Sequence, residues 1–97
     1  MNYTATKVIE WGALKGILSK SNAISQHHKL LEEVEELYYS LSEDDPTNTA
    51  LEIGDCMVVL ILIAALRGLD VDECLDAAYE KIKDRRGKMV DGKFVKE

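Results

Sequence analysis

Glu52-Ile53-Gly54-Asp55-Cys56-Met57-Val58-Val59-Leu60-Ile61-Leu62-Ile63-Ala64-Ala65-Leu66 decides the fold. From Met57 onward this stretch is apolar on every side of a helix, and such a helix has to be covered all round. The unbroken apolar run, Cys56 to Leu66, has 11 residues. A membrane span needs about 20, so the stretch reads as the core helix of a soluble domain. A chain of 97 residues argues for one domain, 1–97. Three neighbouring helices in so short a chain do not cover the apolar half. A subunit interface is therefore expected, as a homodimer or homotetramer.

The flanks supply the other elements. Glu43-Asp44-Asp45-Pro46 is a turn, with Asp45 as N-cap and Pro46 at the first helical position, where a missing N–H costs nothing. The apolar helix runs from there to about Arg67 and stops at Gly68. Upstream, a helix from near Ser25 to about Ser42 carries a stripe of Leu30, Leu31, Val34, Leu37, Tyr38 and Leu41, expected to be its packing face. Lys29, Glu33, Glu36 and Ser40 project away from that stripe as a separate polar face. A first segment, Thr4 to Leu18, repeats Val8, Trp11, Leu14 and Leu18 at helical spacing. Gly12 and Gly16 weaken it and allow another helix or a ligand to come close. Downstream, Asp70-Val71-Asp72-Glu73 reads as a capping box opening a helix that ends near Arg86-Gly87. In the tail, 88–97, Asp91-Gly92 between two short apolar-containing runs is a hairpin signal. The expected fold is all-α, of four-helix-bundle type, with a helical core over about 4–87 and a short C-terminal tail or hairpin.

The net charge of −6 argues against a nucleic-acid polymer as partner, since phosphate contacts need a basic surface. It leaves room for a nucleotide, because a divalent cation lets carboxylates face phosphates. Cys56 and Cys74 sit in apolar surroundings without CxxC spacing, and buried thiols in a reducing compartment, the cytoplasm, are expected. Met1-Asn2-Tyr3-Thr4 lacks the charged-then-apolar pattern of a secretory signal. His27-His28 lacks the i, i+4 spacing of a helical metal pair and reads as surface; Tyr38 and Tyr39 read as packing residues.

Chemistry is carried by two carboxylate pairs, Glu33 with Glu36 and Glu52 with Asp55, each three residues apart and so on one side of its helix. On adjacent antiparallel helices they bring four like charges together, which is unfavourable unless a cation cancels them. Oxygen-only ligation suits Mg²⁺, Mn²⁺ or Ca²⁺ rather than Zn²⁺, and Mg²⁺ borrows phosphate oxygens from substrates. Acidic residues also belong on solvated faces and in first helical turns, so spacing alone leaves both readings open.

Glu32-Glu33-x-x-Glu36, 15 further residues, then Glu52-x-x-Asp55 resembles the defining motif of the MazG-like all-α nucleotide pyrophosphohydrolases. Lys29-Leu30-Leu31 and Lys81-x-x-x-Arg85-Arg86-Gly87 add to the likeness, which extends from about Gln26 to Gly87. The resemblance implies Mg²⁺-dependent hydrolysis of (d)NTPs to monophosphate and pyrophosphate. It implies that Glu33, Glu36, Glu52 and Asp55 hold the metal, with Glu33 or Glu36 as general base. Lys81 and Arg85, four apart on a helix, would reach phosphates, with Lys83 and Arg86 as alternatives. Lys29 would be a charge partner in the site, or only a salt bridge to Glu33, and Trp11 would stack on the base or fill the core. The first segment matches no motif of the family. A rival from a different class is a non-catalytic helical oligomer serving as an interaction module, which has no need of Glu52 and Asp55. A third possibility, a diphosphate or phosphoribosyl substrate, cannot be separated by sequence.

Overall fold

A computed structural model describes residues 3–97. Met1 and Asn2, which head the stretch read for a signal, lie outside the described residues. The chain is all-α, with 73% of it helical. The elements are α1 (Tyr3–Leu14), α2 (Ile17–Lys20), α3 (Ala23–Ser42), α4 (Pro46–Leu66), α5 (Val71–Ile82) and an antiparallel hairpin of β1 (Gly87–Val90) and β2 (Lys93–Lys96).

Local chemistry accounts for the boundaries. The expected first segment is two helices, because Gly16 takes φ 81° and breaks it. α3 starts earlier than Ser25, since the Asn22 side chain accepts from the Ser25 N–H as N-cap. Asp45 and Asp70 cap α4 and α5 as expected. Both long helices end in Schellman motifs. After α4, the Leu69 N–H donates to Ala64 O and the Gly68 N–H to Ala65 O. After α3, the Asp45 N–H donates to Ser40 O and the Asp44 N–H to Leu41 O, with Asp44 at φ 52°. α5 stops at Ile82, short of the expected Arg86-Gly87, and Arg85 lies beyond it after a turn, its N–H donating to Ile82 O at 3.0 Å.

α3 and α4 form an antiparallel helical hairpin, and α1 packs along α4. Gly12 sits against Leu62, the most buried large residue of the core at 2% exposure; Val59, Ile61 and Ala64 complete that core with Ala5 of α1.

The packing face of α3 keeps Leu30 and Leu37 of the expected stripe but is rotated away from its other four residues. Gln26, Leu30, Glu33, Leu37 and Ser40, in alternating steps of four and three, turn inward; Ser40 is 1% exposed and Glu33 8%. Leu31, Val34, Tyr38 and Leu41 point outward, Tyr38 at 62% exposure. Ser40 has a partner on α4, Thr49 Oγ1 donating to Ser40 Oγ (3.1 Å), which donates to Leu37 O (2.9 Å), while Gln26 donates to Ser21 Oγ (3.1 Å). Ile53, Met57 and Leu60 of α4 are exposed too. At about 100° per residue they lie on the same side of the α3–α4 hairpin as the α3 stripe, opposite the side α1 covers. One face of the hairpin is thus bare and apolar. Tyr38 and Tyr39 are exposed rather than packed, with ring centroids 5.7 Å apart. Cys56 is half-buried and Cys74 exposed, because the α5 face that carries Cys74 packs on nothing.

Candidate metal centre

The Ser40–Thr49 contact sets the register of the two long helices. Counting back along α3 and forward along α4 places Glu33 near Cys56, and Glu36 near Glu52 and Ile53. Glu33, in the seam, Glu36, one turn on, and Glu52, from the first half of α4, each bring a carboxylate oxygen to within 4.8 Å of the others.

Two oxygens of this cluster, Oε2 of Glu33 and Oε2 of Glu52, are shut off from solvent with no hydrogen-bond partner. Buried polar atoms in native proteins are nearly always partnered, and a cation is a partner that these two oxygens fit. Glu33 Oε1 is held by Lys29 Nζ at 3.3 Å, and the same ammonium reaches Glu32 Oε2 at 3.3 Å. Glu32 and then Glu33 hold the Lys29 ammonium above its ordinary range. Lys29 is thus ion-paired to Glu33 one turn away, an i, i+4 contact that fits a charge partner of the site and a plain helical salt bridge alike. It covers one side of Glu33 and leaves the other facing the cluster.

Burial first, then the charges of Glu36, Asp55 and Glu33, push the Glu52 carboxyl above its ordinary range. Burial, followed by Glu33, Glu52 and Asp55, does the same to the Cys56 thiol. Cys56 Sγ does not join the converging group, so the donor set is all-oxygen. That set fits a hard cation, Mg²⁺, Mn²⁺ or Ca²⁺. Both orphaned oxygens would be satisfied by one such ion.

Asp55, the fourth expected ligand, is exposed and outside this triad. One turn beyond Glu52, it lines an open cleft of about 420 Å³ with Thr4, Lys7, Val8 and Trp11 of α1 and Val58 of α4. It joins the carboxylates to the cleft. Trp11 is thus placed beside Asp55 and is 45% exposed. Lys7 was not singled out from the sequence; the signal was its place one turn before Trp11 on the same helical face. Its Nζ lies 4.3 Å from the centroid of the Tyr3 ring.

Lys81 and Arg85 are not brought to the carboxylates. The helix-side pairing expected for them fails because Arg85 has left the helix. Among the described residues α5 packs on α4 alone, and the β hairpin packs on no helix. Of the alternatives, Lys83 pairs with Glu80 at 2.7 Å and Arg86 with Glu97 at 3.8 Å. His27 and His28 are exposed, as expected.

The model of the MazG nucleotide pyrophosphohydrolase domain matches residues 22–90, a span that takes in α3, α4, α5 and β1. No curated protein and no solved structure gives a significant match.

Proposed function

The chain belongs to the MazG nucleotide pyrophosphohydrolase family, and from that premise we propose that it hydrolyses nucleoside or deoxynucleoside triphosphates to the monophosphate and pyrophosphate with Mg²⁺, Mn²⁺ serving in its place. The observation that carries this reading is the pair of buried, unpartnered carboxylate oxygens of Glu33 and Glu52, the latter one turn from Asp55 in the cleft that Trp11 lines. An interaction module has no use for such atoms, since burying them unpaired only costs stability.

In this reading Glu33, Glu36, Glu52 and Asp55 hold the metal. When bound, the ion neutralises phosphate charge and acidifies water. The protein's own residues do the rest. Lys29 holds Glu33 in place through its ion pair with Oε1. Glu36, exposed and without a lysine partner, is the better placed of the two candidate bases. It takes the proton of the water that attacks the α-phosphorus as the α–β bridging P–O bond breaks and pyrophosphate leaves. Trp11 stacks on the base, and Lys7 offers a cation to the phosphates.

The chain works as one domain and as a homodimer or homotetramer. Leu31, Val34, Tyr38, Ile53, Met57 and Leu60 form a bare apolar face on one side of the hairpin, the kind of surface a second copy would cover. Two free cysteines suit a reducing cytoplasm.

The test is incubation with a panel of (d)NTPs and Mg²⁺, scoring pyrophosphate against orthophosphate. Pyrophosphate from at least one substrate is expected, and none from any would end the proposal. Glu36→Gln and Asp55→Asn should fold yet lose turnover; full activity in either would remove that residue from the site.

A further inference from the structure

Ser40 is 1% exposed and sits inside a helix. Alanine would be the better helix former there and would bury no polar atom. The serine hydroxyl is explained by what it touches. Thr49 Oγ1 donates to it at 3.1 Å, and it donates in turn to Leu37 O at 2.9 Å. A helical threonine often turns its hydroxyl back on a carbonyl of its own helix. Half-buried Thr49 directs its donor across to α3 instead.

These two bonds lie beside the carboxylates. Ser40 comes four residues after Glu36, and Thr49 three before Glu52. Each hydroxyl therefore stands one turn from a carboxylate on the same side of its helix. The relay ends on the carbonyl of Leu37, the residue next to Glu36. It ties the turn of α3 that carries Glu36 to the turn of α4 that carries Glu52. The carboxylates work against that union. Glu33, Glu36 and Glu52 bring oxygens to within 4.8 Å of one another, and like charges at this spacing repel when no cation lies between them. Lys29 offsets one of the three charges.

We propose that Ser40 and Thr49 are positioning residues of the metal centre, a role that rests on the metal-dependent reading above. Their hydroxyl relay holds α3 and α4 at the spacing a divalent ion needs before the ion arrives. An ion that must first draw its site together binds more weakly, in proportion to the fraction of molecules in which the site is already formed. Neither hydroxyl belongs to the converging carboxylates, so the effect passes through the setting of the two helices.

The test is titration of nucleotide-free protein with Mn²⁺ alone, reading the dissociation constant from the electron paramagnetic resonance of the free ion. Thr49→Val keeps the volume and removes the hydroxyl. Loss of one interhelix hydrogen bond should weaken Mn²⁺ binding roughly two- to tenfold. Thr49→Ser returns a hydroxyl and should bring the constant back near the wild-type value. Ser40→Ala asks the same question from α3 and should weaken binding to a similar degree. The double variant should weaken it no further, because both changes remove one link. Ala64→Gly is the control for a merely structural role. Ala64 is buried in α4, 12 residues from Glu52, and glycine inside a helix costs stability. Its Mn²⁺ constant should match wild type.

An unchanged constant in Thr49→Val and Ser40→Ala would overturn the proposal. So would no recovery in Thr49→Ser, or an equal weakening in Ala64→Gly. A wild type that binds no Mn²⁺ would remove the positioning role together with the metal centre. Constants that move as stated, with no pyrophosphate from any (d)NTP, would remove the reaction and keep the positioning pair. Pyrophosphate release with constants that do not move would do the reverse.

Discussion

Adding one methyl group at Gly12 tests how α1 is seated. A Cβ there would lie 2.5 Å from Leu62 Cδ2, with Leu18 Cγ at 3.8 Å. Carbon atoms prefer about 3.5–4.0 Å, so the new group is about 1 Å too close. Leu62 is 2% exposed and has no open space to swing into. Overpacking of this kind costs about 1–3 kcal/mol, against which alanine recovers about 1 kcal/mol of helix propensity. Gly12→Ala should therefore lose about 0–2 kcal/mol. Gly54→Ala is the control. Gly54 also lies inside a helix, yet a Cβ there meets nothing within 4 Å, so the propensity gain of about 1 kcal/mol stands alone. The same chemical change should have opposite signs at the two positions. Since 1 kcal/mol moves the midpoint of so small a domain by about 4–8 °C, thermal melts will separate them. The consequence for the site is specific. Pushing α1 outward shifts Trp11 from Asp55 but leaves Glu33, Glu36 and Glu52 on α3 and α4. KM for nucleotide should rise in Gly12→Ala while the Mg²⁺-induced rise in melting midpoint stays. Equal stabilisation by both alanines would refute the close seating of α1 on Leu62.

Other predictions follow from single residues. Asp44 holds φ 52° at the end of α3, where an L side chain is strained, so Asp44→Gly should stabilise by about 0.5–1 kcal/mol, read from denaturant melts. The folded metal-free protein holds the Glu52 proton more tightly than the unfolded chain does. Its stability is therefore favoured below the ordinary carboxylate range and lost as pH rises through the raised value. The midpoint advantage of Glu52→Gln over wild type without metal should grow from about pH 4 toward neutrality; a constant gap would show that Glu52 titrates normally. Trp11→Ala should raise KM several-fold, stacking on a base being worth about 1–3 kcal/mol, and leave the metal-induced shift in midpoint intact. An unchanged KM would return Trp11 to a packing role.

The helices were legible where the signal was a local one. Asp45-Pro46 and Gly68 bound α4, and Asp70 opens α5, because caps and stops act within one turn. Asn22 carries the same chemistry and was passed over, since Ser25, the residue whose N–H it accepts, is itself a plausible cap. The end of α5 was misplaced by four residues because nothing in Lys83-Asp84-Arg85-Arg86 breaks a helix; the chain leaves α5 to enter β1. Three of the four expected metal ligands converge. Asp55 shares a helix side with Glu52, but spacing on one helix cannot say how a neighbour is rotated. That rotation turns Glu33 into the seam and leaves Asp55 facing α1.

The inversion of α3 has a physical origin that bears on the site. An amphipathic helix is expected to bury its apolar stripe, and burial of Leu31, Val34, Tyr38 and Leu41 would gain on the order of 25 cal/mol per Å² covered. Instead α3 gives its inner seam to Gln26, Glu33 and Ser40 alongside Leu30 and Leu37. A seam holding an orphaned carboxylate oxygen from each of its two helices stabilises nothing by itself. Two things make it consistent: a cation between the carboxylates, and a second surface over the stripe left outside. The hydrophobic pattern was therefore right about which residues want covering and wrong about what covers them. The seam and the bare face are opposite sides of one rotation of α3. Turning the stripe inward would carry Glu33 away from Glu52 and disperse the cluster. Metal site and apolar face thus depend on each other through the setting of a single helix.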